Sequence, residues 1–251
     1  MNRLVIVRHG LTEWTTRFTG WTDIDLAPEG VELTEKYAQK LKENGFSFDV
    51  GFTSRLKRGI RTLELFLRAL GQENIPIIKD WHLNERHYGA LQGLNKAETA
   101  EQYGENQVKV WRRSFSVPPP KVGKNDPRHP ANDLTYKDVD PNLLPGGESL
   151  KETYERVVPY FKEKVETDLK AGKKVILSGH SNSIRAIVKY LENLSDEEIT
   201  EINIPYCIPL IYEFNDGFKL EKKYFLASDQ EVADAISAIK NQAKKTPTSN
   251  T

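Results

Sequence analysis

Two kinds of hydrophobic pattern alternate along the chain. Short runs rich in apolar residues are typical of strands, and they occur at 4–7, 49–54, 75–78, 174–177, 208–214 and 223–226. Apolar residues that recur every three or four positions predict helices at 28–44, 56–70, 108–113, 150–165, 184–191 and 229–239. We therefore predict a single α/β domain over 1–240 with three layers, in which helices flank a mostly parallel central sheet.

The regular pattern stops between about 80 and 145. A long irregular stretch inside a compact domain is usually functional or disordered, and this one carries Trp81, Tyr88, Trp111 and Phe115, too many aromatic residues for a disordered linker. We predict that it is a lid insertion over a site. The polar end of the chain, 241–251, is predicted to be a mobile tail.

The first predicted strand leads directly into candidate chemistry. Four consecutive aliphatic residues at 4–7 indicate a strand that is covered on both faces, as in the middle of a parallel sheet. Arg8, His9 and Gly10 follow at once, and ligands of α/β proteins collect at the carboxyl ends of such strands. We expect Arg8 and His9 to lie at a binding edge.

Two later strands end in similar turns. The strand at 174–177 leads into a turn with His180 and Asn182, so a second histidine is expected near the first. The strand at 49–54 precedes a helix for which Ser54 is a candidate N-cap. Arg58 and three other basic residues crowd the first turns of that helix, where they oppose its dipole. Either an anion binds nearby or the residues form a solvated basic face.

Composition limits the possible partners. The chain has 36 basic and 36 acidic residues, so no global charge favours nucleic acid or an anionic membrane. No apolar run of about 18 residues predicts a membrane span, and no signal-like segment opens the sequence. Cys207 is the only cysteine, which excludes an internal disulfide and fits a reducing cytoplasm.

Four kinds of site could use the histidines and basic residues at these turns, and the sequence argues against three of them. The turn around Ser181 resembles the nucleophile elbow of α/β-hydrolases, but those enzymes place their histidine after the serine, and none follows here. A P-loop sequence is absent. His9 and His180 could bind a metal, but no carboxylate cluster or ligand-spacing motif accompanies them. Two histidines with arginines at one sheet edge instead suit transfer of a phosphoryl group through a phosphohistidine.

The sequence around these residues resembles the histidine phosphatase superfamily and, within it, the 2,3-bisphosphoglycerate-dependent phosphoglycerate mutases. The resemblance extends to about residue 225, and three segments carry it: RHGLTEW at 8–14, RFTGWTD at 17–23 and, most specifically, LNERHYGALQGLNK at 83–96. It implies interconversion of 3-phosphoglycerate and 2-phosphoglycerate in the cytoplasm. The priming phosphoryl donor would be 2,3-bisphosphoglycerate, no metal would take part, and a homodimer or homotetramer is possible.

The resemblance also assigns roles to individual residues. His9 is expected to be phosphorylated and Glu85 to be the general acid and base, for which its carboxyl must be able to hold a proton near neutral pH. A salt bridge between Glu85 and Arg86 is the structural alternative. The resemblance adds His180, Arg8 and Arg58 to the expected catalytic residues. It implies that the substrate ligands are Thr15, Thr19, Gly20, Tyr88, Lys96, Arg112, Arg113 and Asn182.

Several positions depart from the family pattern. Leu11 replaces a usual acidic residue, Thr15 an asparagine and Ser181 a glycine, while Gly146 and Gly147 look more like the phosphatase branch. The main alternatives are therefore a phosphatase, or a bisphosphoglycerate synthase and phosphatase, with the same His9 nucleophile. A catalytically dead binding module would require loss of the histidine, arginine or acid, and all three are present.

Overall fold

The computed structural model describes residues 2–241. Apart from residue 241, the predicted tail lies outside this range. Six strands form one sheet in the order β3-β2-β4-β1-β5-β6. β1 to β4 run parallel, and only β5, which pairs with β1 and β6, runs in the opposite direction, which confirms a mostly parallel sheet. The strands are β1 Asn2–Arg8, β2 Val50–Thr53, β3 Ile77–Lys79, β4 Val175–Gly179, β5 Leu210–Phe214 and β6 Leu220–Phe225.

Helices cover both faces of this sheet. They are α1 Pro28–Glu43, α2 Lys57–Leu70, α3 Lys96–Tyr103, α4 Glu105–Arg113, α5 Leu150–Tyr160, α6 Thr167–Lys170, α7 Ser181–Glu192, α8 Glu198–Glu201 and α9 Asp229–Asn241. A π-helical segment, Phe161–Glu166, joins α5 to α6. None of the described helices is long and apolar enough to cross a membrane.

β1 shows why the fold has three layers. Its residues 4–7 are at most 1% exposed, because side chains alternate between the two faces of a strand and both faces are covered. Leu4 and Ile6 pack in the core beneath α5 and α7, whereas Val5 and Val7 pack in the core beneath α1 and α2. The predicted central position of this strand is confirmed.

The segment at 80–145 is more structured than its sequence pattern indicates. α3 was not predicted, because Thr99 is its only buried residue and so it has no apolar periodicity. Its start is fixed locally: the Asn95 side chain accepts hydrogen bonds from the Ala97 and Glu98 N–H groups. Part of the segment forms a small buried cluster, in which Trp81 and Tyr136 pack with Trp21 from the preceding loop. Its role as a lid remains a prediction.

Candidate active site

The strand register brings three turns together at one edge of the sheet. Arg8 of β1 lies beside Gly179 of β4, and Thr53 of β2 lies beside Ser178. The His9 N–H donates to the Gly179 carbonyl at 3.0 Å, which ties the first turn to the second. As a result, the ring centroids of His9 and His180 are 5.0 Å apart.

His9 is prepared as a neutral nucleophile. Its Nδ1 is 2.7 Å from the Gly10 carbonyl oxygen, and because that oxygen can only accept, Nδ1 carries the ring proton. The lone pair of Nε2 is therefore available for attack. Burial lowers the pKa of His9 well below its ordinary value, and the nearby charges of Arg58 and Arg8 lower it further. The ring is uncharged at neutral pH.

Main-chain carbonyls hold the two arginines beside His9. Arg58 is 1% exposed and donates to Gly20 O at 2.7 Å and to Thr22 O at 2.9 Å. Burial lowers its pKa to about 10, so it stays charged at neutral pH. Arg8 donates from Nη1 to Ile204 O at 2.8 Å, and its buried Nε has no partner in residues 2–241. Both guanidinium groups border the cavity in front of His9.

His180 lies behind His9 and does not line the cavity. It is fully buried, and its Nε2 is 2.8 Å from Ser54 Oγ. Ser54 thus contacts a histidine and is not the N-cap of α2 as predicted; the cap position is Leu56. Nδ1 of His180 is buried and has no partner in the described part of the chain. Burial first, and then Arg58 and His9, lower the pKa of His180 well below its ordinary value.

Two backbone N–H groups hold the Glu85 carboxylate, which also lines the cavity. Its Oε1 accepts from Arg86 N at 2.8 Å and from Asn182 N at 3.0 Å. The Arg86 guanidinium donates instead to Tyr88 Oη at 2.9 Å and Arg112 O at 3.0 Å, so the alternative of a Glu85–Arg86 salt bridge is wrong. Oε2 of Glu85 accepts no hydrogen bond within residues 2–241, and Glu85 lines the cavity.

Three further cavity cations come from the 80–145 segment. Lys96 Nζ donates to Thr15 O at 2.8 Å. Burial, together with Arg112 and Arg8, lowers the Lys96 pKa to about 7. Burial also lowers the pKa of Arg112, and Arg113 donates to Asn203 Oδ1 at 3.1 Å. These three side chains line the same cavity as His9.

The cavity cations differ from other basic residues on the same elements. The cationic residues that line the cavity are Arg8, Arg17, Arg58, Lys96, Arg112, Arg113 and Arg185. None of them forms an ion pair within residues 2–241. The other basic residues around the start of α2 are paired, as Arg55–Asp138, Lys57–Asp23 and Arg61–Asp25. The unpaired charges suit a multiply charged anion, whose oxygens can engage planar guanidinium groups.

The structure brings nearly all predicted site residues to this cavity. His180 is the exception, and the residues that do line it are Arg8, His9, Thr15, Thr19, Gly20, Arg58, Glu85, Tyr88, Lys96, Arg112, Arg113 and Asn182. Ser181, one of the departures from the family pattern, lines it as well. Within the described residues, no group of three or more His, Cys, Asp or Glu side chains is placed to hold a metal ion.

Sequence reasoning missed several lining residues, among them Arg185, Asn203 and Tyr206. Arg185 follows Asn182 by three positions on α7, so helical spacing could have found it. It is 2% exposed, and its Nη1 donates to Asn182 Oδ1 at 3.1 Å, which turns the amide nitrogen of Asn182 away from it. Asn203 and Tyr206 lie in the loop after α8, and no spacing signal marks them.

This arrangement defines a class of protein: an α/β enzyme with a neutral histidine and unpaired arginines at the carboxyl edge of its sheet, suited to phosphoryl transfer. The chain matches the model of the histidine phosphatase superfamily (branch 1) over residues 4–129 and 126–225. Over 97% of its length it is 50% identical to the 2,3-bisphosphoglycerate-dependent phosphoglycerate mutase of Treponema denticola, 99% of which is covered. The chain therefore belongs to the histidine phosphatase superfamily and, within it, to the 2,3-bisphosphoglycerate-dependent phosphoglycerate mutases.

Solved structures support the fold. A mycobacterial glucosyl-3-phosphoglycerate phosphatase matches with a TM-score of 0.65 at 20% identity, covering 90% of this chain and 97% of that one. Bacillus stearothermophilus YhfR matches with a TM-score of 0.67 at 18% identity, and the match covers 88% of this chain and 95% of that one. These similarities confirm the predicted fold class.

Proposed function

We propose that this protein interconverts 3-phosphoglycerate and 2-phosphoglycerate through a phosphohistidine at His9. The observation that carries the proposal is the uncharged His9 ring, with Nε2 unprotonated, beside a cavity whose cations have no ion-pair partner in residues 2–241. The family membership of the chain supports it. Two phosphates carry about −1.5 to −2 charges each at neutral pH, so only a locally basic cavity would hold such a ligand.

His9 and Glu85 divide the chemistry between them. Nε2 of His9 attacks phosphorus in line, the phosphorus–oxygen bond to the substrate breaks, and Glu85 protonates the leaving oxygen. In the reverse step, Glu85 takes the proton from a substrate hydroxyl while that oxygen attacks the phosphohistidine. Arg8 and Arg58 stabilise charge on the equatorial phosphoryl oxygens, where it is spread in the transition state. His180 supports the His9 ring from behind.

The other end of the cavity would hold the rest of the ligand. Tyr88, Lys96, Arg112 and Arg113 are the proposed partners of the substrate carboxylate and of a second phosphate, with Thr15, Thr19, Gly20 and Asn182 as further ligands. The buried donor Arg8 Nε, which has no partner in residues 2–241, fits this use, because an anionic oxygen could satisfy a donor that the protein leaves unsatisfied.

The proposal includes 2,3-bisphosphoglycerate as the priming donor, which would supply the first phosphoryl group to His9. Arginines and Lys96 provide the positive charge, so the proposed reaction needs no metal. We propose a cytoplasmic location, and a homodimer or homotetramer remains a prediction. The predicted lid at 80–145 would keep water from the phosphohistidine while the intermediate reorients.

A coupled enolase assay tests the proposal. 2-Phosphoglycerate should form from 3-phosphoglycerate, and 2,3-bisphosphoglycerate should accelerate its formation severalfold. Inorganic phosphate is measured in the same samples, and His9→Ala serves as the inactive control. Phosphate release that exceeds isomerisation in the intact protein would contradict the proposal and favour the phosphatase alternative.

A further inference from the structure

The loop between α8 and β5 is attached to the end of β1. Tyr206 forms an isolated parallel bridge with Arg8, and the Cys207 N–H donates to the Arg8 carbonyl at 3.0 Å. Cys207 is fully buried and has a φ of 60°, a left-handed conformation that side chains other than glycine rarely adopt. The backbone around Tyr206 is therefore fixed relative to Arg8.

The side chain of Tyr206 covers one face of the Arg8 guanidinium. The guanidinium carbon lies 3.6 Å from the centroid of the tyrosine ring, a distance typical of close stacking. The same ring stands edge-on to His9, with centroids 5.7 Å apart and an angle of 66° between the planes. Tyr206 is half-buried and lines the same cavity as Arg8 and His9.

This loop holds Arg8 in two ways. The Ile204 carbonyl accepts a hydrogen bond from Nη1 at 2.8 Å, and the Tyr206 ring fixes the plane of the group. Nε remains buried and without a partner in residues 2–241. A guanidinium is a rigid planar fork, so fixing one nitrogen and one face also fixes the direction of its remaining donors.

We propose that Tyr206 is a positioning residue for phosphoryl transfer, which aims the free donors of Arg8 at the phosphoryl group on His9. This inference rests on the proposed function and adds a residue to it. Orientation matters because a displacement of about 1 Å can lower a reaction rate by about 10²-fold. The flat ring is the required feature, and the hydroxyl is not.

The test measures the rate of His9 phosphorylation by 2,3-bisphosphoglycerate in a single turnover. Tyr206→Phe should react within about twofold of wild type, whereas Tyr206→Leu should be about 10- to 100-fold slower. Phe46→Leu is the matched control, because Phe46 stacks on Arg3 at the opposite end of β1, with 5.0 Å from the guanidinium carbon to the ring centroid. Its phosphorylation rate should be unchanged.

A second comparison separates positioning from a structural role. In an Arg8→Met background, Tyr206→Leu should cause little further slowing, because its effect passes through Arg8. If Tyr206→Leu does not fold, Tyr206→Met replaces it, since methionine adapts to irregular space without providing a ring. The same slowing in both backgrounds, or none in either, would overturn the inference. Absence of any wild-type phosphohistidine would instead overturn the proposed function.

Discussion

The two ends of the cavity are built differently. At the reacting end, which we define as Arg8, His9 and Arg58, the side chains lie at or shortly after the ends of β1 and β2, and each is held by a main-chain carbonyl. At the anchoring end, defined as Tyr88, Lys96, Arg112 and Arg113, the side chains come from the 80–145 segment. The reacting end is thus built at the ends of sheet strands, whereas the anchoring end is built from the segment that we predict to be a lid.

This difference predicts two kinds of kinetic effect. Interactions made only in the transition state lower kcat when they are lost, and interactions made equally with the bound substrate raise KM. Changes at the reacting end, or at Glu85, should therefore lower kcat. Changes at the anchoring end should mainly raise KM. The predictions that follow test this division.

The largest effect is expected for Glu85→Gln. Glutamine keeps an Oε1 that can accept from Arg86 N and Asn182 N, so the local structure should persist. It cannot exchange a proton with the substrate, and general acid–base catalysis is worth about 10²- to 10⁴-fold. We expect kcat to fall by that factor with KM within about threefold of wild type. A Glu85→Gln enzyme with wild-type kcat would remove the proposed role.

A smaller effect is expected for Arg112→Met at the anchoring end. Loss of one charge-assisted contact, about 1.5–3 kcal/mol, should raise the KM for 3-phosphoglycerate about 10- to 100-fold and change kcat little. Lys109→Met removes a charge from an exposed position of the same helix, α4, and should leave both constants unchanged. Equal effects of the two substitutions would show that only long-range charge matters.

The pH dependence of binding gives the smallest effect. The Lys96 pKa is about 7, lowered first by burial, so the free enzyme loses this positive charge as pH rises from 7 to 8.5. The substrate phosphate has completed its second ionisation, near pH 6, before this range. The dissociation constant of 3-phosphoglycerate should therefore increase, by at most about tenfold per pH unit. In Lys96→Arg this increase should disappear, because arginine stays charged over the whole range. A Lys96→Arg variant with the same pH dependence as wild type would contradict the assignment.

Much of the fold could be predicted because its central elements carry strong local patterns. The apolar run at 4–7 is long and unbroken, so its position in the middle of the sheet follows from sequence alone. α3 could not be found in this way, because only Thr99 is buried on it and its start depends on the Asn95 cap. Of the predicted tail, 241–251, all residues after 241 lie outside the described residues, so this prediction stays a prediction.

The site was predictable where chemistry and strand ends coincide. Arg8, His9 and Glu85 lie in recognisable motifs, and the structure places all three at one cavity. Tyr206 was missed because its relation to Arg8 arises only when the loop after α8 bridges to β1. Ser54 was misassigned because a serine before a helix predicts a cap, whereas tertiary packing brings it to His180.

The most direct test of the whole account is to locate the phosphoryl group. The protein is incubated briefly with radiolabelled 2,3-bisphosphoglycerate, and the modified peptide is identified by mass spectrometry. We predict an acid-labile, base-stable phosphohistidine at His9, formed by the wild type, reduced but still at position 9 in His180→Ala, and absent from His9→Ala. Label on His180, or no covalent label in an enzyme that still isomerises 3-phosphoglycerate, would contradict the account.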